Sequence, residues 1–279
     1  MRSWLSLSRG SAALGAAVVT LALTCPQAQA GFILVDDFSH PDFTVGSSVD
    51  GTNGWSVHRN ADFALIAEDP TDPGNQVMHV RGSTAGWPAS LTMTSKSLGD
   101  TVAVGDEATV FVRVLAQGDN FGAFGFLRQG TSNPTSAGYN SFSAAVEINN
   151  LDVRVLDGSS TVPTTTEIDD LTWHNVWIVV DNGANTFRVY TNTGTDDATE
   201  ADRVGYFDNG DFITTFDFRD GTTDVLDRFM AVGHINARDL FYDSIYFSQE
   251  ANLAFIPEPG SAALLGLGAL LVLRRRRAA

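Results

Sequence analysis

Two acids two residues apart, in Glu167-Ile168-Asp169, come nearest in this chain to a hydrolytic pair. Residues i and i+2 of a strand share a face. A retaining sugar-cleaving centre needs a nucleophile and a proton donor about 5 Å apart. Asp170-Leu171-Thr172-Trp173 follows without a further glutamate, so nothing stands ready to protonate a leaving group. The other reactive types are isolated. His40, His58, His79, His174 and His234 occur singly, with none of the one-, three- or four-residue spacings that put two imidazoles on one metal. Val232 to Arg238 brings His234 and Arg238 together, residue types that an eliminating enzyme uses, but no matching motif occurs elsewhere. Gly82-Ser83-Thr84-Ala85-Gly86 is out of register for a nucleophile elbow. No catalytic residue is assigned.

Binding groups are more plentiful. Trp55, Trp87, Trp173 and Trp177 carry rings that can stack on sugars or fill a core. Trp177, inside an apolar run, is assigned to the core. Trp87, beside Pro88 in a glycine-rich stretch, is the candidate glycan contact. Calcium suits oxygen-rich loops, and the stretches that could offer it ligands are Glu68-Asp69-Pro70-Thr71-Asp72 and Asp36-Asp37, the latter with Asp243 if the first and last strands pair. The same carboxylates serve as turn caps, so no cofactor is assigned.

The elements that must position these groups read as strands. Ala108 to Ala116 alternates with Ala108, Val110, Val112, Val114 and Ala116 on one face. Val176 to Asp181 and Asn185 to Asn192 flank Asp181-Asn182-Gly183-Ala184-Asn185, a hairpin in which Asn-Gly is expected to take positive φ. Further strands are expected at Phe63–Ala67, Gln76–Arg81, Ser90–Ser95, Phe121–Arg128, Ser141–Ile148, Asp152–Leu156, Phe229–Ile235 and Phe241–Ser248. No segment of the body keeps a helical period, and Thr222 to Arg228 reads as one helical turn at most. The prediction is all-β: a two-sheet antiparallel jelly-roll sandwich with five or six strands per sheet.

Composition agrees and excludes some partners. Of 33 acidic residues 26 are Asp, the turn former rather than the helix former. The net charge is −16. Leaving out Arg2, Arg9, Arg274 to Arg277 and Glu258 gives a body with 11 basic against 32 acidic residues and one lysine, Lys96. Such a surface repels phosphate backbones, so nucleic acid is excluded as a partner. The single cysteine, Cys25, precedes the body, whose stability must come from burial alone.

The ends read as addresses. Arg2 and Arg9 precede an apolar stretch from about Ala12 to Leu23, and Ala28-Gln29-Ala30 offers small residues at both positions that signal peptidase reads, with cleavage expected after Ala30. At the other end Pro257-Glu258-Pro259 holds the backbone extended, Gly260 to Leu273 is apolar, and Arg274, Arg275, Arg276 and Arg277 form a membrane stop that favours the cytoplasmic side. This order resembles the PEP-CTERM sorting signal of Gram-negative bacteria. The resemblance implies processing by an exosortase, a membrane cysteine transpeptidase that cuts near Pro257-Glu258-Pro259. The organisation expected is a signal peptide at 1–30, a sandwich at 31–251, a linker at 252–256, and a sorting signal with a short membrane helix at 257–279.

The body in turn resembles the concanavalin A-like jelly rolls of secreted proteins. The residues that carry this are Val35-Asp36-Asp37-Phe38, Asn53-Gly54-Trp55, Asp72-Pro73-Gly74-Asn75, Trp173-His174-Asn175-Val176-Trp177 with Val179-Val180-Asp181, and Asp243-Ser244-Ile245-Tyr246. That fold hosts lectins, glycosidases, lyases and structural modules. The function expected is a non-catalytic cell-surface or extracellular-matrix component, exported across the inner membrane and associated with exopolysaccharide. The alternatives are a polysaccharide-active enzyme or a calcium-dependent carbohydrate-binding module.

Overall fold

The structure, a computed structural model, describes residues 31–86, 89–118, 121–129, 138–219, 221, 224–234 and 239–256. Strands, numbered in chain order, form two antiparallel sheets and a separate hairpin. The first sheet runs β15 (Phe216–Asp217), β12 (Thr186–Asn192), β11 (Trp173–Asp181), β6 (Glu107–Ala116), β17 (Leu240–Ser248), β4 (Gln76–Val80) and β3 (Ala64–Glu68), with β1 (Phe32–Asp36) also paired to β17. The second runs β10 (Ser160–Glu167), β9 (Asp152–Asp157), β8 (Phe142–Asn149), β7 (Phe121–Arg128), β16 (Leu226–Gly233), β5 (Thr92–Val102) and β2 (Ser56–Arg59). The hairpin is β13 (Tyr206–Asp208) with β14 (Asp211–Ile213). The helical elements among the described residues are three short 3₁₀ turns, and none is long and apolar enough to cross a membrane.

Alternation decides what lies between the sheets. The even-numbered residues of β6 from Ala108 to Ala116 face inward as expected and meet Phe124, Phe126, Ala144, Val146, Phe229 and Ala231 of the second sheet in one core. Each sheet holds more strands than the five or six expected. The additions include β1, β2 and β10, short or polar strands at the sheet margins whose exposed residues carry no apolar alternation. The helical turn expected at Thr222 to Arg228 also gives way. Leu226 begins β16 and pairs with both Val102 and Arg128, so ladder hydrogen bonds on two sides override a weak local preference.

The β11–β12 hairpin corrects a second expectation. Its positive φ falls on Asn185, not on Asn182 or Gly183. Asn182 is buried, and its Nδ2 donates to the carbonyls of Val102, Ala103 and Asp224 at 2.9–3.1 Å. The side chain thus ties three loops together at one end of the sandwich. The expected chemistry occurs at β13–β14, where Asn209 (φ 49°) and Gly210 (φ 98°) make a two-residue turn with both central residues left-handed.

A bulge divides β17 between two partners. Leu240 to Tyr242 pair with β4, and Ile245 to Ser248 pair with β1. The register against β6 shifts between Asp243 and Tyr246, with Ser244 at φ 50°. β1 is held from its far side by one carboxylate. Asp36 Oδ2 accepts from Lys96 Nζ at 2.6 Å, Trp55 Nε1 at 2.7 Å and Asn53 Nδ2 at 3.1 Å, while Oδ1 accepts from the Phe38 amide at 2.9 Å. Lys96 lies on β5, so the ion pair joins the two sheets, and both residues are buried.

Removing one partner of a buried ion pair strands the other charge, at a cost of about 3–5 kcal/mol. Asp36→Ala is therefore expected to lower stability by about that amount in urea unfolding. Asp36→Asn combined with Lys96→Met keeps an acceptor for Trp55 and removes the stranded cation, and should recover most of the loss. Equal stabilities for Asp36→Ala and the parent would contradict the assignment.

Candidate functional site

The outer face of the second sheet is the broad surface on which a sandwich could hold a ligand. Strand register places Met93 beside Val232, Val232 beside Ala123, and Met230 beside Gly125. These residues, with Leu91, Leu127, Phe142, Ala145 and Leu156, form a second buried apolar cluster on that outer side. The middle of the face is therefore occupied by buried apolar side chains. Charge gathers at one margin. Glu147 on β8 is 3% exposed, and its Oε1 lies 3.7 Å from Arg154 Nη1 on β9. The other guanidinium nitrogen, Nη2, lies 3.7 Å from Asp152. One guanidinium thus bridges two carboxylates and locks β8 to β9.

Glu167 is the last residue of β10 and stands opposite Asp152. The strand ends there, Ile168 is buried in the core, and the Asp169 amide donates to His174 Nε2 at 3.0 Å. The two acids of Glu167-Ile168-Asp169 therefore do not share a strand face. Accepting that bond makes His174 a neutral imidazole, and burial lowers its pKa. His234 sits at the end of β16 with its ring 3.8 Å from that of Phe121. Burial pushes its pKa down to about 4, so it too is neutral near pH 7. Residues 235–238, including Arg238, lie outside the described residues.

The outer face of the first sheet carries a polar knot. Asp243 on β17 lies 3.7 Å from Arg113 on β6. Trp173 lies under the Arg113 guanidinium at 5.1 Å and donates from Nε1 to Asp69 at 3.0 Å. Asn75 Nδ2 reaches Asp69 at 3.4 Å and Asp243 at 3.5 Å. The Asp69 loop considered for calcium is thus tied to the sheet by the Trp173 indole, which donates to Asp69, and by its own Asn75 amide, which reaches Asp243. Asp243 joins this loop and not Asp36, whose oxygens face Lys96, Trp55 and Asn53. Among the described residues no three His, Cys, Asp or Glu side chains converge on a metal position.

The tryptophans divide similarly. Trp55 is buried against Phe38 and Phe229, and Trp177 is buried against Phe111. Trp177 faces outward from the first sheet, however, where alternation puts it opposite the main core. Trp87 lies outside the described residues. The described aromatics most open to solvent are Phe207 and Phe212, 67% and 48% exposed. They are cross-strand partners in the β13–β14 hairpin, with ring centres 5.0 Å apart, and the acid pair Asp208 and Asp211 lies next to them toward the turn. The one sign of this pairing in the sequence is the Asn209-Gly210 turn, since two isolated phenylalanines carry no period.

Tyr206 anchors this hairpin, stacking on Phe216 and donating to Asp157 Oδ2 at 2.7 Å. Asp157 Oδ1 also accepts from the Asp217 amide. Asp217, with Ser159, Asn185 and Arg219, lines an open cavity of about 350 Å³. The corner of the sandwich thus presents aromatic faces and a polar hollow fixed through one carboxylate.

The segment expected to be a linker, 252–256, is docked. Phe32, Phe111, Trp177, Tyr190 and Tyr246 make an aromatic platform on the first sheet's outer face, and Leu253 and Ile256 pack on it. Ile256 is 1% exposed. Hydrogen bonds hold the backbone along its length: the Asn252 amide donates to Thr109 Oγ1, Ala198 to the Leu253 carbonyl, Trp177 Nε1 to the Ala254 carbonyl, and Phe255 to Asp197, all at 2.8–3.2 Å. A segment of seven residues from Glu250 is better described as a strap. Apolar Leu253 and Ile256 gain more by burial than by serving as a tether. Residues 1–30 and 257–279, with Ala28, Ala30, Pro257, Glu258, Pro259 and Arg274 to Arg277, lie outside the described residues.

No known family's sequence model matches the chain, and no curated protein does. Among solved structures, a chain described as a sialidase aligns with 79% of this chain at a TM-score of 0.50 and 12% identity, and this chain spans 19% of that one. Lectin II from Ulex europaeus aligns with 74% of this chain and 96% of its own, at 0.42 and 14%. The catalytic domain of a glycoside hydrolase family 131 protein from Coprinopsis cinerea aligns with 82% of this chain and 87% of its own, at 0.39 and 11%. At these identities the likeness concerns the sandwich fold.

The polar knot has a pH signature. Burial raises the Asp243 pKa to about 6, against the pull of Arg113 and of the bonds from Asn75 and Ser244. The folded state then holds a proton more tightly than the unfolded chain, where a carboxylate titrates near about pH 4. The group's contribution is complete below about pH 4 and is lost as pH rises through about 6. The stability of the parent relative to Asp243→Asn should fall across that window in thermal melts. A difference that does not vary from about pH 4 to 7 would show that Asp243 titrates normally.

Proposed function

We propose that this chain is an exported surface or matrix component, delivered through its N-terminal signal and sorted through Pro257-Glu258-Pro259, the apolar run Gly260 to Leu273 and Arg274 to Arg277, with a β body that does no chemistry of its own. One observation carries the reading most directly. The strap at Asn252–Ile256 runs from the last strand of the sandwich to a buried residue immediately before Pro257. The packing contacts of the body thus reach the residue before Pro257, which supports reading the peptide beyond it as an address carried by a cargo. The sorting enzyme supplies the reaction; this chain supplies the peptide. The body's acidic surface suits an exterior in which it must stay soluble.

The non-catalytic half of the reading is supported by the outer face of the second sheet, where apolar side chains occupy the middle. Glu147 and Asp152 are bridged by Arg154 instead of facing each other across a groove. Contact with polysaccharide is supported by the corner hairpin. Rings bind the C–H faces of sugars, and Asp208, Asp211, Asn209 and the neighbouring cavity offer hydroxyl partners. The acids at its tip disfavour an anionic polymer, so the partner proposed there is a neutral polysaccharide.

Two experiments test these halves. Mass spectrometry of the protein from a host with the sorting enzyme should find a mature chain that starts at Gly31 and lacks Arg274 to Arg277. A chain still carrying both ends would remove the sorting reading. For the body, sedimentation with insoluble neutral glucans should retain the parent and lose about tenfold in affinity on Phe207→Ala with Phe212→Ala, about 1.4 kcal/mol. Both positions are exposed, so folding should be unchanged. Release of soluble sugar that Glu147→Gln abolishes would turn the reading toward an enzyme.

A further inference from the structure

The strap creates a problem of reach for any enzyme that must cut the sorting peptide, a problem that exists only if the chain is sorted as proposed above. Ile256 is fixed against Phe111, Trp177, Tyr190 and Tyr246, and the apolar run begins at Gly260. Four residue steps separate them, which span at most ~14 Å even when fully extended. A single helix with its side chains is already about 10–12 Å across. With the strap seated, the folded body and the bilayer surface leave room for about one layer of protein. An active site that encloses an extended peptide needs walls on both sides of it.

Peeling the strap removes the constraint. β17 ends at Ser248, and the twelve steps from there to Gly260 reach ~40 Å. The bonds that peeling breaks are few and lie in one row. They include those from the Asn252 amide to Thr109, from Thr109 Oγ1 to the Glu250 carbonyl, from Ala198 to the Leu253 carbonyl, from Trp177 to the Ala254 carbonyl and from Phe255 to Asp197. No pairing of one named strand with another is among them. The sandwich core stays closed while the strap is open, because the platform faces away from it.

We propose that the strap must leave the first sheet before the sorting peptide can be cleaved, so that Thr109, Trp177, Asp197 and Ile256 set how fast the tail is removed. These are positioning residues, since they act only through the strap. After cleavage the strap reseats and covers the aromatic platform again, so the platform is not left exposed in the mature body.

The test follows processing in cells that carry the membrane transpeptidase, by pulse-chase of the full chain. The first variant places a flexible Gly-Ser spacer of about six residues between Ile256 and Pro257, adding ~13 Å of mean reach without touching the strap's contacts. The second is Asp197→Ala, which removes one strap bond and should raise the open population about fivefold, the factor one hydrogen bond is worth. Both are expected to lose the tail several-fold faster than the parent. Hydrogen exchange at the Asn252 and Phe255 amides should quicken in the second variant only. A spacer variant processed at the parent's rate would overturn the strap's role while leaving sorting intact. Tail retention in every variant would overturn the sorting reading, and this proposal with it.

Discussion

A buried carboxylate on the first strand holds the two layers of the sandwich in place. Asp36 lies on β1 in one sheet, and its strongest partner, Lys96, lies on β5 in the other. The body has no cysteine to join its layers and only one lysine, and that lysine is spent inside. The surrounding donors explain why the charge can be buried: Trp55, Asn53 and the Phe38 amide occupy the remaining lone pairs. β1 has only β17 as a sheet neighbour, so without the tie its free side would fray. Phe32, at the start of β1, is part of the platform under the strap. A cross-sheet ion pair at one end of the chain thereby supports the seat of the segment at the other end.

The two outer faces show how the molecule disposes of apolar surface that alternation leaves outside the core. On the second sheet it becomes a closed secondary cluster around Met93, Ala123, Met230 and Val232. On the first it is divided: the Asp69 loop is bound over one part through Trp173 and Asp243, and the strap covers the other. The exposed aromatic surface is displaced to the β13–β14 hairpin, outside both sheets, where a tight Asn209-Gly210 turn and the Tyr206–Asp157 bond hold it rigid.

Much of the architecture was legible before any coordinate. The alternation of Ala108 to Ala116 identified an inward face correctly, and Phe121–Arg128 was bounded to the residue, because a strand in the middle of a sheet must bury one full face. Marginal strands escaped because their stability comes from a neighbour's hydrogen bonds and not from their own pattern. Asn182 misled for the opposite reason. Asn-Gly favours a left-handed turn locally, but three carbonyls converging from distant loops offered its amide more than the turn did. Trp177 was assigned correctly to a buried position and yet faces outward, since burial on that side depends on the strap, 77 residues further along at Ala254.

The amino-acid sequence by itself determined the β class, the acidic surface, the isolation of the histidines and the order of the tail, all of which are properties of composition and short-range spacing. Tertiary structure decided which carboxylates meet cations, which aromatic rings remain in solvent, and that residues 252–256 are a strap and not a tether. These outcomes depend on which distant segments come to share a face, and strand register, with its bulges at Val35 and Asp243, sets that only once the sheets have formed.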